Sequence, residues 1–268
     1  MSLNPKIRDW HGRRVWLMGA SSGMGAALAI ALANEGACVA VSGRRAAAVD
    51  EVVRNLPLHE LSSSIGHIGL VCDASNPKSL AEAKAELLAV WGGVDIAIYL
   101  AGDYQPQQAT DFSLATLRHL CEVNYLAAAA FAECVLPLWL NQAAEAERGL
   151  VLVGSVAGYR GLPKALGYGP SKAALIHFAE VLYLDLHARG LGVWLVNPGF
   201  VATRLTDKND FKMPALISTE VAAKALLKGM AGGGFEIHFP RRFTCVMRLL
   251  RLLPYSVYFR LVKKITGV

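Results

Sequence analysis

The sequence predicts a doubly wound α/β domain on a mainly parallel, roughly seven-stranded sheet. Three observations carry that expectation. Short apolar runs recur along the chain and alternate with Ala/Leu-rich segments of helical period, the pattern of strands buried on both faces. The first such run is followed at once by a glycine cluster and a helical segment, giving strand, turn and helix in succession. At 268 residues, 54% hydrophobic and 8% aromatic, the chain has apolar mass for one sizeable core and lies outside the disordered class.

Arg14 to Met18 reads as the first strand. Gly19-Ala20-Ser21-Ser22-Gly23-Met24-Gly25 follows and opens a helix to about Gly36. Glycines in such a turn let the backbone approach a pyrophosphate, whose charge is favoured by the free N–H groups of the helix N-terminus. A tight strand-to-helix turn also uses glycine for packing alone. Cys38 to Ser42 is the second strand and completes a βαβ unit. At its end, where a site for a free ribose 2′-hydroxyl places an acid, this chain has Gly43-Arg44-Arg45. Two guanidinium groups without a carboxylate suit a 2′-phosphate, so NADP(H) is expected over NAD(H). The competing reading is a pair of solvated arginines that start the helix Ala46 to Asn55.

Ile65 to Cys72 is the third strand, ending in Asp73-Ala74, and Asn76-Pro77 leads into a helix to Trp91. Asp73 caps that turn, receives an adenine amino group, or does both. Val94 to Leu100 is the fourth strand; the small Ala101 and Gly102 after it allow close passage of a cofactor. Phe112 to about Trp139 is helical and carries Asn124 inside an apolar run, as a satisfied core amide or a site residue.

Leu150 to Val153 is the fifth strand, followed by Gly154-Ser155-Val156-Ala157-Gly158. Leu175, Phe178, Ala179, Leu182 and Leu186 give Ala173 to Ala188 a helical period, which places Tyr168 and Lys172 near its first turn. Residues four apart on a helix have Cβ atoms about 5–6 Å apart, so phenol and ammonium point the same way. The cation is expected to favour the phenolate and move the Tyr168 pKa down towards neutrality. Ser155, thirteen residues before Tyr168, would hydrogen-bond a substrate oxygen to which Tyr168 passes a proton, while Lys172 holds the phenol's charge state and a cofactor ribose.

Leu191 to Val196 is the sixth strand, leading to Asn197-Pro198-Gly199. Phe200 to Ser218 is irregular and mixed, with Phe200, Leu205, Phe211, Met213 and Leu216 among polar residues, which suits a lid over an apolar substrate. Thr219 is read as the cap of the next helix, and Phe235 to Phe239 as the seventh strand. A dinucleotide-binding catalytic domain of residues 1–240 is expected, with a basic, apolar extension of residues 241–268.

Taken together these residues resemble the short-chain dehydrogenase/reductases, single-domain Rossmann-fold oxidoreductases of about this length. The similarity runs from about Gly12 to Pro240. The glycine cluster looks like that family's cofactor motif, with Met18 where threonine is common. Asn124, Ser155, Tyr168 and Lys172 match its catalytic tetrad, and Asp73 its adenine contact. Asn197-Pro198-Gly199, with Thr203 four residues on, matches its segment beside the nicotinamide. The resemblance implies cofactor contacts from Gly19, Ser21, Ser22, Gly23, Met24 and Gly25, from Arg44, Arg45, Asp73 and Ala74, and from Ala101, Gly102, Tyr168 and Lys172. Pro198, Gly199, Val201 and Thr203 complete the set. It also implies hydride transfer between nicotinamide and a carbonyl or secondary alcohol, a proton relay from solvent through Lys172 to Tyr168, and a homodimer or homotetramer paired through its long fourth and fifth helices, near Ala127 to Ala130. One departure stands out: the family's Asn-Asn-Ala-Gly is Tyr99-Leu100-Ala101-Gly102 here. That change, with the extra tail, motivates a rival reading, a non-catalytic NADP(H)-responsive binding protein.

Charge is unevenly placed. Of 27 basic residues, seven lie beyond Pro240 without any acid, and the remainder of the chain carries 20 basic against 21 acidic residues. The sequence pI near 9.1 is therefore a property of the tail, and no nucleic-acid footprint is expected in the body. In residues 241–268 cations alternate with apolar side chains, so the segment either lies on an anionic membrane surface or packs over the cleft or a partner subunit. Cys38, Cys72, Cys121, Cys134 and Cys245 form no C-x-x-C pair and are expected as reduced core thiols; the seven histidines show no zinc spacing. No run of eighteen apolar residues appears and 1–14 has no apolar core, so a cytoplasmic protein is expected.

Overall fold

A computed structural model describes residues 2–58, 65–140, 147–208, 211 and 213–267. Its seven strands are β1 Arg14–Met18, β2 Cys38–Gly43, β3 Ile68–Val71, β4 Ile96–Tyr99, β5 Gly149–Val153, β6 Gly192–Pro198 and β7 Glu236–Phe239. The helices between them are α1 Gly23–Asn34, α2 Ala46–Arg54, α3 Pro77–Trp91, α4 Leu114–Cys121, α5 Ala127–Val135, α6 Pro137–Leu140, α7 Tyr168–Leu186 and α8 Thr219–Gly232. Two more, α9 Arg241–Arg251 and α10 Tyr255–Thr266, follow the sheet. All strands pair in parallel, in the order β3-β2-β1-β4-β5-β6-β7. The order reverses between β1 and β4, and that switch point opens a crevice beyond the carboxyl ends of the strands.

Strand periodicity divides the core into two layers. Trp16 and Met18 of β1 face one layer with Phe131 and Leu175; Val15 and Leu17 face the other with Leu28 and Leu226. Each strand of the central sheet therefore reads as a continuous apolar run.

Several boundaries differ from the sequence expectation. β3 begins at Ile68 and β4 at Ile96, while β6 runs on through Asn197 and Pro198, which pair with His238 and Phe239 of β7. Asn76 caps α3 by accepting from the N–H groups of Lys78 and Ser79, while Asp73 caps the turn before it, its Oδ1 accepting from the Ser75 N–H at 3.0 Å. Ser218, in extended conformation, caps α8 by accepting from Val221, which puts Thr219 inside the first turn rather than at the cap. The long helix starts at Leu114 and is broken by a π turn over Glu122–Leu126. By length and composition Leu114–Leu140 would cross a membrane, but Leu120, Phe131, Val135 and Trp139 are buried in the core. Ala127 and Ala128 are buried too, while Ala129 and Ala130 of the same stretch are half-buried. Cys38 and Cys72 are core thiols, whereas Cys245 is exposed on the outer side of α9.

Candidate active site

One cleft of about 1280 Å³ opens at the carboxyl ends of the strands. Its walls bring together Gly19 and Ser21, Ser22, Gly23, Met24 and Gly25 of the β1–α1 turn, Arg44 and Arg45 after β2, and Asp73 and Ala74 after β3. Ala101 and Gly102 come from the end of β4, Tyr168 and Lys172 from the first turn of α7, and Pro198, Gly199, Val201 and Thr203 from the end of β6 and the loop after it. Asn124 and Ser155 are buried beside this lining without being part of it.

Gly19 has φ +89°, and a Cβ there would lie 2.4 Å from the Ala101 backbone nitrogen, so only glycine lets the β1 and β4 ends approach this closely. Ser22 leads into α1 without a side-chain cap, and the first turn carries no acid. The N–H groups of that turn therefore face the cleft uncompensated, which fits an anionic group. Arg44 and Arg45 are exposed at the rim. The Asp73 carboxyl is held below its ordinary range mainly by the Ser75 hydroxyl, which donates at 2.7 Å, with the Ser75 N–H and Arg44 adding to the effect.

On the opposite wall Ser155 ends the β5 run and starts a 3-10 turn, Val156–Gly158, its hydroxyl oxygen accepting from Ala157 N–H at 3.1 Å. α7 begins at Tyr168, so Tyr168 and Lys172 are one helical turn apart as expected. Their electrostatics differ from the expectation. Burial pushes the Tyr168 phenol above its ordinary pKa, and a hydrogen bond with the Ser155 hydroxyl offsets this only in part. The Lys172 ammonium cannot reverse that shift: it lies 5.9 Å from the Tyr168 ring centroid, donates to the Val153 carbonyl at 2.9 Å, and burial brings its own pKa down to about 8. The low-dielectric wall therefore sets both shifts.

Asn124 stands in the π turn, fully buried. Its Oδ1 accepts from Asp103 N–H at 2.9 Å, and its Nδ2 donates to the Asp103 carbonyl at 2.9 Å and the Ser171 hydroxyl at 3.0 Å. Ser171 in turn donates to the Tyr168 carbonyl at 2.8 Å. A side chain at Gly102 would fall 3.1 Å from Asn124 Oδ1 and 3.6 Å from Lys172 Nζ, so Asn124, Gly102 and Lys172 are layered within van der Waals distance. Tyr99 explains how this turn is held. Its ring is buried against Phe131, and its hydroxyl donates to the Val123 carbonyl at 2.7 Å, one residue before Asn124.

Residues that sequence reasoning passed over form a polar cluster beside Tyr168. Asp103 follows Gly102 directly; its carboxylate accepts from Lys208 of the 200–218 loop at 2.9 Å and lies 3.1 Å from His119 Nε2. Lys208 also donates to the Tyr104 carbonyl at 2.7 Å. Burial alone would raise the Asp103 carboxyl, but Lys208, the Tyr104 N–H and His119 together hold it below its ordinary range. The Tyr104 ring meets that of Tyr168 edge-on at 5.1 Å. The only sequence signal for this cluster was an acid immediately after Ala-Gly, whose partner lies 105 residues away.

A switch-point cleft with a glycine turn on one wall and a Ser-Tyr-Lys cluster at the other, its serine and lysine buried and its tyrosine half-buried, defines a dinucleotide-binding oxidoreductase scaffold. The family model for short chain dehydrogenases matches residues 13–213, and the chain belongs to the short-chain dehydrogenase/reductase family. An uncharacterized oxidoreductase of Myxococcus xanthus (strain DK1622) is 34% identical over 253 residues, 92% of this chain and 94% of that protein. Dehydrogenase/reductase SDR family member 7 of Homo sapiens is 31% identical over 212 residues, 75% of this chain and 61% of the human protein. In fold, the chain is similar to a short chain dehydrogenase from Burkholderia cenocepacia J2315 in complex with NADP (TM-score 0.79, 21% identity, 94% of this chain and 98% of that one). It is equally similar to a short chain dehydrogenase/reductase from Burkholderia phymatum in complex with NAD (TM-score 0.79, 22% identity, 91% and 94%). The chain is thus a member of a nicotinamide-dependent oxidoreductase family.

Proposed function

We propose that the protein is an NADP(H)-dependent oxidoreductase that interconverts a carbonyl and a secondary alcohol on an apolar substrate. The observation that carries this reading is the convergence at one cleft wall of the half-buried Tyr168 phenol, the neighbouring buried Ser155 hydroxyl and a lysine one turn away. The β1–α1 turn would hold the pyrophosphate, Arg44 and Arg45 the 2′-phosphate, Asp73 the adenine, and Lys172 the ribose. When bound, the nicotinamide supplies or accepts the hydride. Ser155 orients the substrate oxygen, and Tyr168, whose raised pKa keeps it protonated at neutral pH, donates the proton in the reductive direction. Asn124 fixes the backbone that frames Lys172. Support for an apolar substrate comes from Phe200, which meets Phe211 at 5.8 Å at the base of the 200–218 loop.

Tyr168→Phe tests the assignment: carbonyl reduction is expected to fall about 10²–10⁴-fold, with NADPH binding retained. A variant that keeps most of its turnover would sink the role of Tyr168. Cofactor choice is tested by thermal unfolding with matched NADPH and NADH. Ligand at about 100 times its Kd adds about 2.7 kcal/mol to native stability, so stabilisation by NADPH alone is the expected result. The rival NADP(H)-responsive binding protein was motivated by the altered Tyr99-Leu100 and by the tail; the Tyr99 bond to the turn of Asn124 weakens the first of these. We also propose homo-oligomer contacts on the outward sides of the π turn before α5 and of α7, where Leu126 and Leu184 are exposed, with light scattering as the check.

A further inference from the structure

We infer that the outer faces of α9 and α10 form a docking surface for an anionic lipid bilayer. Packing on the protein and attachment to a surface, alternatives at the level of sequence, use opposite faces of the same helices. α9 turns Phe243, Thr244, Met247 and Leu250 inward, and the Thr244 hydroxyl bonds the Pro240 carbonyl and His238. α10 is held by Tyr258, whose hydroxyl donates to the Gly161 carbonyl at 2.7 Å. Arg160 joins the two helices: it donates to the Leu250 and Arg251 carbonyls at the end of α9 and stacks its guanidinium 4.5 Å from the Tyr255 ring centroid and 4.1 Å from that of Tyr258.

With the inward faces fixed, a second apolar set remains in water. Val246 and Leu249 of α9 and Leu252 just after its end are 52%, 66% and 78% exposed; on α10, Phe259 stacks beside Tyr255 and Ile265 is exposed at the far end. A helix that has already buried one apolar face gains nothing for folding from another. The charges around this set select its occupant. Arg248 is engaged with Glu236 and His238, whereas Arg241, Arg242, Arg260, Lys263 and Lys264 are exposed, with no acid on either helix. A second copy of this chain would set these cations against each other, while an anionic bilayer accepts cations and apolar side chains together. At 11 and 12 residues neither helix reaches across a bilayer, so they lie in its interface. Phe243, on the inner side of α9, meets Phe200 at 5.4 Å and crowds Gly199, which sets the docking surface directly behind the root of the substrate loop.

The test is sedimentation of the full chain with vesicles of phosphatidylcholine alone or phosphatidylcholine with a third phosphatidylglycerol. Cosedimentation with the anionic vesicles, at least tenfold weaker with neutral ones or at high salt, is expected. Each Lys or Arg near an anionic surface strengthens attachment roughly fivefold, so Arg242→Gln/Lys263→Gln/Lys264→Gln should weaken it about a hundredfold. Leu249→Ser/Leu252→Ser should weaken it at least tenfold, and both variants should unfold at the parent temperature because these side chains are exposed. Absence of binding, or equal binding to neutral and anionic vesicles, overturns the inference. So does a leucine variant that turns a dimer into a monomer while leaving vesicle binding intact, since the face would then join two copies of the chain. The readout needs neither cofactor nor turnover, so it stands or falls separately from the oxidoreductase reading.

Discussion

Lys172 carries its charge at a cost, and that cost has a measurable sign. Its folded pKa of about 8 lies below the ordinary value of 10.5, so between those values the unfolded chain binds more protons than the native one. The penalty is fully present below pH 8 and is relieved as pH rises towards 10.5; over that window stability should increase from this group. Lys172→Met removes the penalty, so the variant is expected to be more stable than the parent at pH 7 by on the order of 1–3 kcal/mol while losing activity. Urea unfolding at pH 7 and pH 10 checks this, and a variant less stable than the parent at pH 7 would overturn it. Tyr99 has the opposite character, a buried phenol whose worth lies in one bond. Tyr99→Phe keeps the ring against Phe131 and loses the bond to the Val123 carbonyl, about 1 kcal/mol of stability. Because that bond fixes the turn of Asn124, kcat is expected to fall several-fold with the NADPH affinity unchanged. Steady-state kinetics decide it, since a purely structural role for Tyr99 would leave kcat intact.

Among the elements, the 200–218 loop is tied to the scaffold at its 3-10 turn, Thr206–Lys208, by the Lys208–Asp103 ion pair. Both side chains are partly exposed, which limits the pair to about 1 kcal/mol or less and makes it sensitive to salt. Asp103→Asn should therefore raise substrate KM several-fold, leave the thermal shift with NADPH unchanged, and be mimicked in the parent by high salt. Equal KM values at low salt would remove the latch role. Elements of this kind mark the boundary of what the sequence could reveal. The glycine turn, Ser155 and the Tyr168–Lys172 pair were legible because strand, turn and helix hold their chemistry within a few consecutive residues. The π turn was not, since Glu122–Leu126 continues the helical pattern and its extra residue depends on a phenol arriving from β4. Ser218 and Thr219 are adjacent hydroxyl residues, and only the extended backbone at Ser218 decides which one caps α8. The expected downward pull on Tyr168 failed for a related reason: spacing gives the separation from Lys172, but burial, which sets both pKa values, is a property of the folded wall.

At the scale of the whole molecule the question is where the catalytic unit ends. Composition changes sharply at Arg241, and on that ground residues 241–268 read as an extension. The packing runs across that boundary. Met247 lies in the same apolar layer as Trp16, Phe131 and Leu175, and Phe243 sits against the Gly199 backbone at the cofactor cleft. Arg160, which clasps the end of α9, belongs to the loop between Ser155 and Tyr168. Glu236 of β7 links the same parts from below: it accepts from Asn197 Nδ2 at 2.7 Å and from the Tyr159 hydroxyl, and pairs with Arg248 of α9. On this account the tail and the sheet are one cooperative unit, and damage to the tail's inner face is felt throughout. Met247→Ala deletes a buried side chain and should cost about 2–3 kcal/mol. It should lower the denaturation midpoint of a single transition without changing its slope, and cofactor should shift that same transition upward. Parallel urea titrations followed by far-ultraviolet dichroism and tryptophan fluorescence make the check, because the five tryptophans all precede Arg241 while α9 and α10 contribute to the dichroism. Coincident curves are the expected result. An early step seen by dichroism alone, shifted by Met247→Ala and blind to NADPH, would instead make residues 241–268 a separate module resting on the sheet.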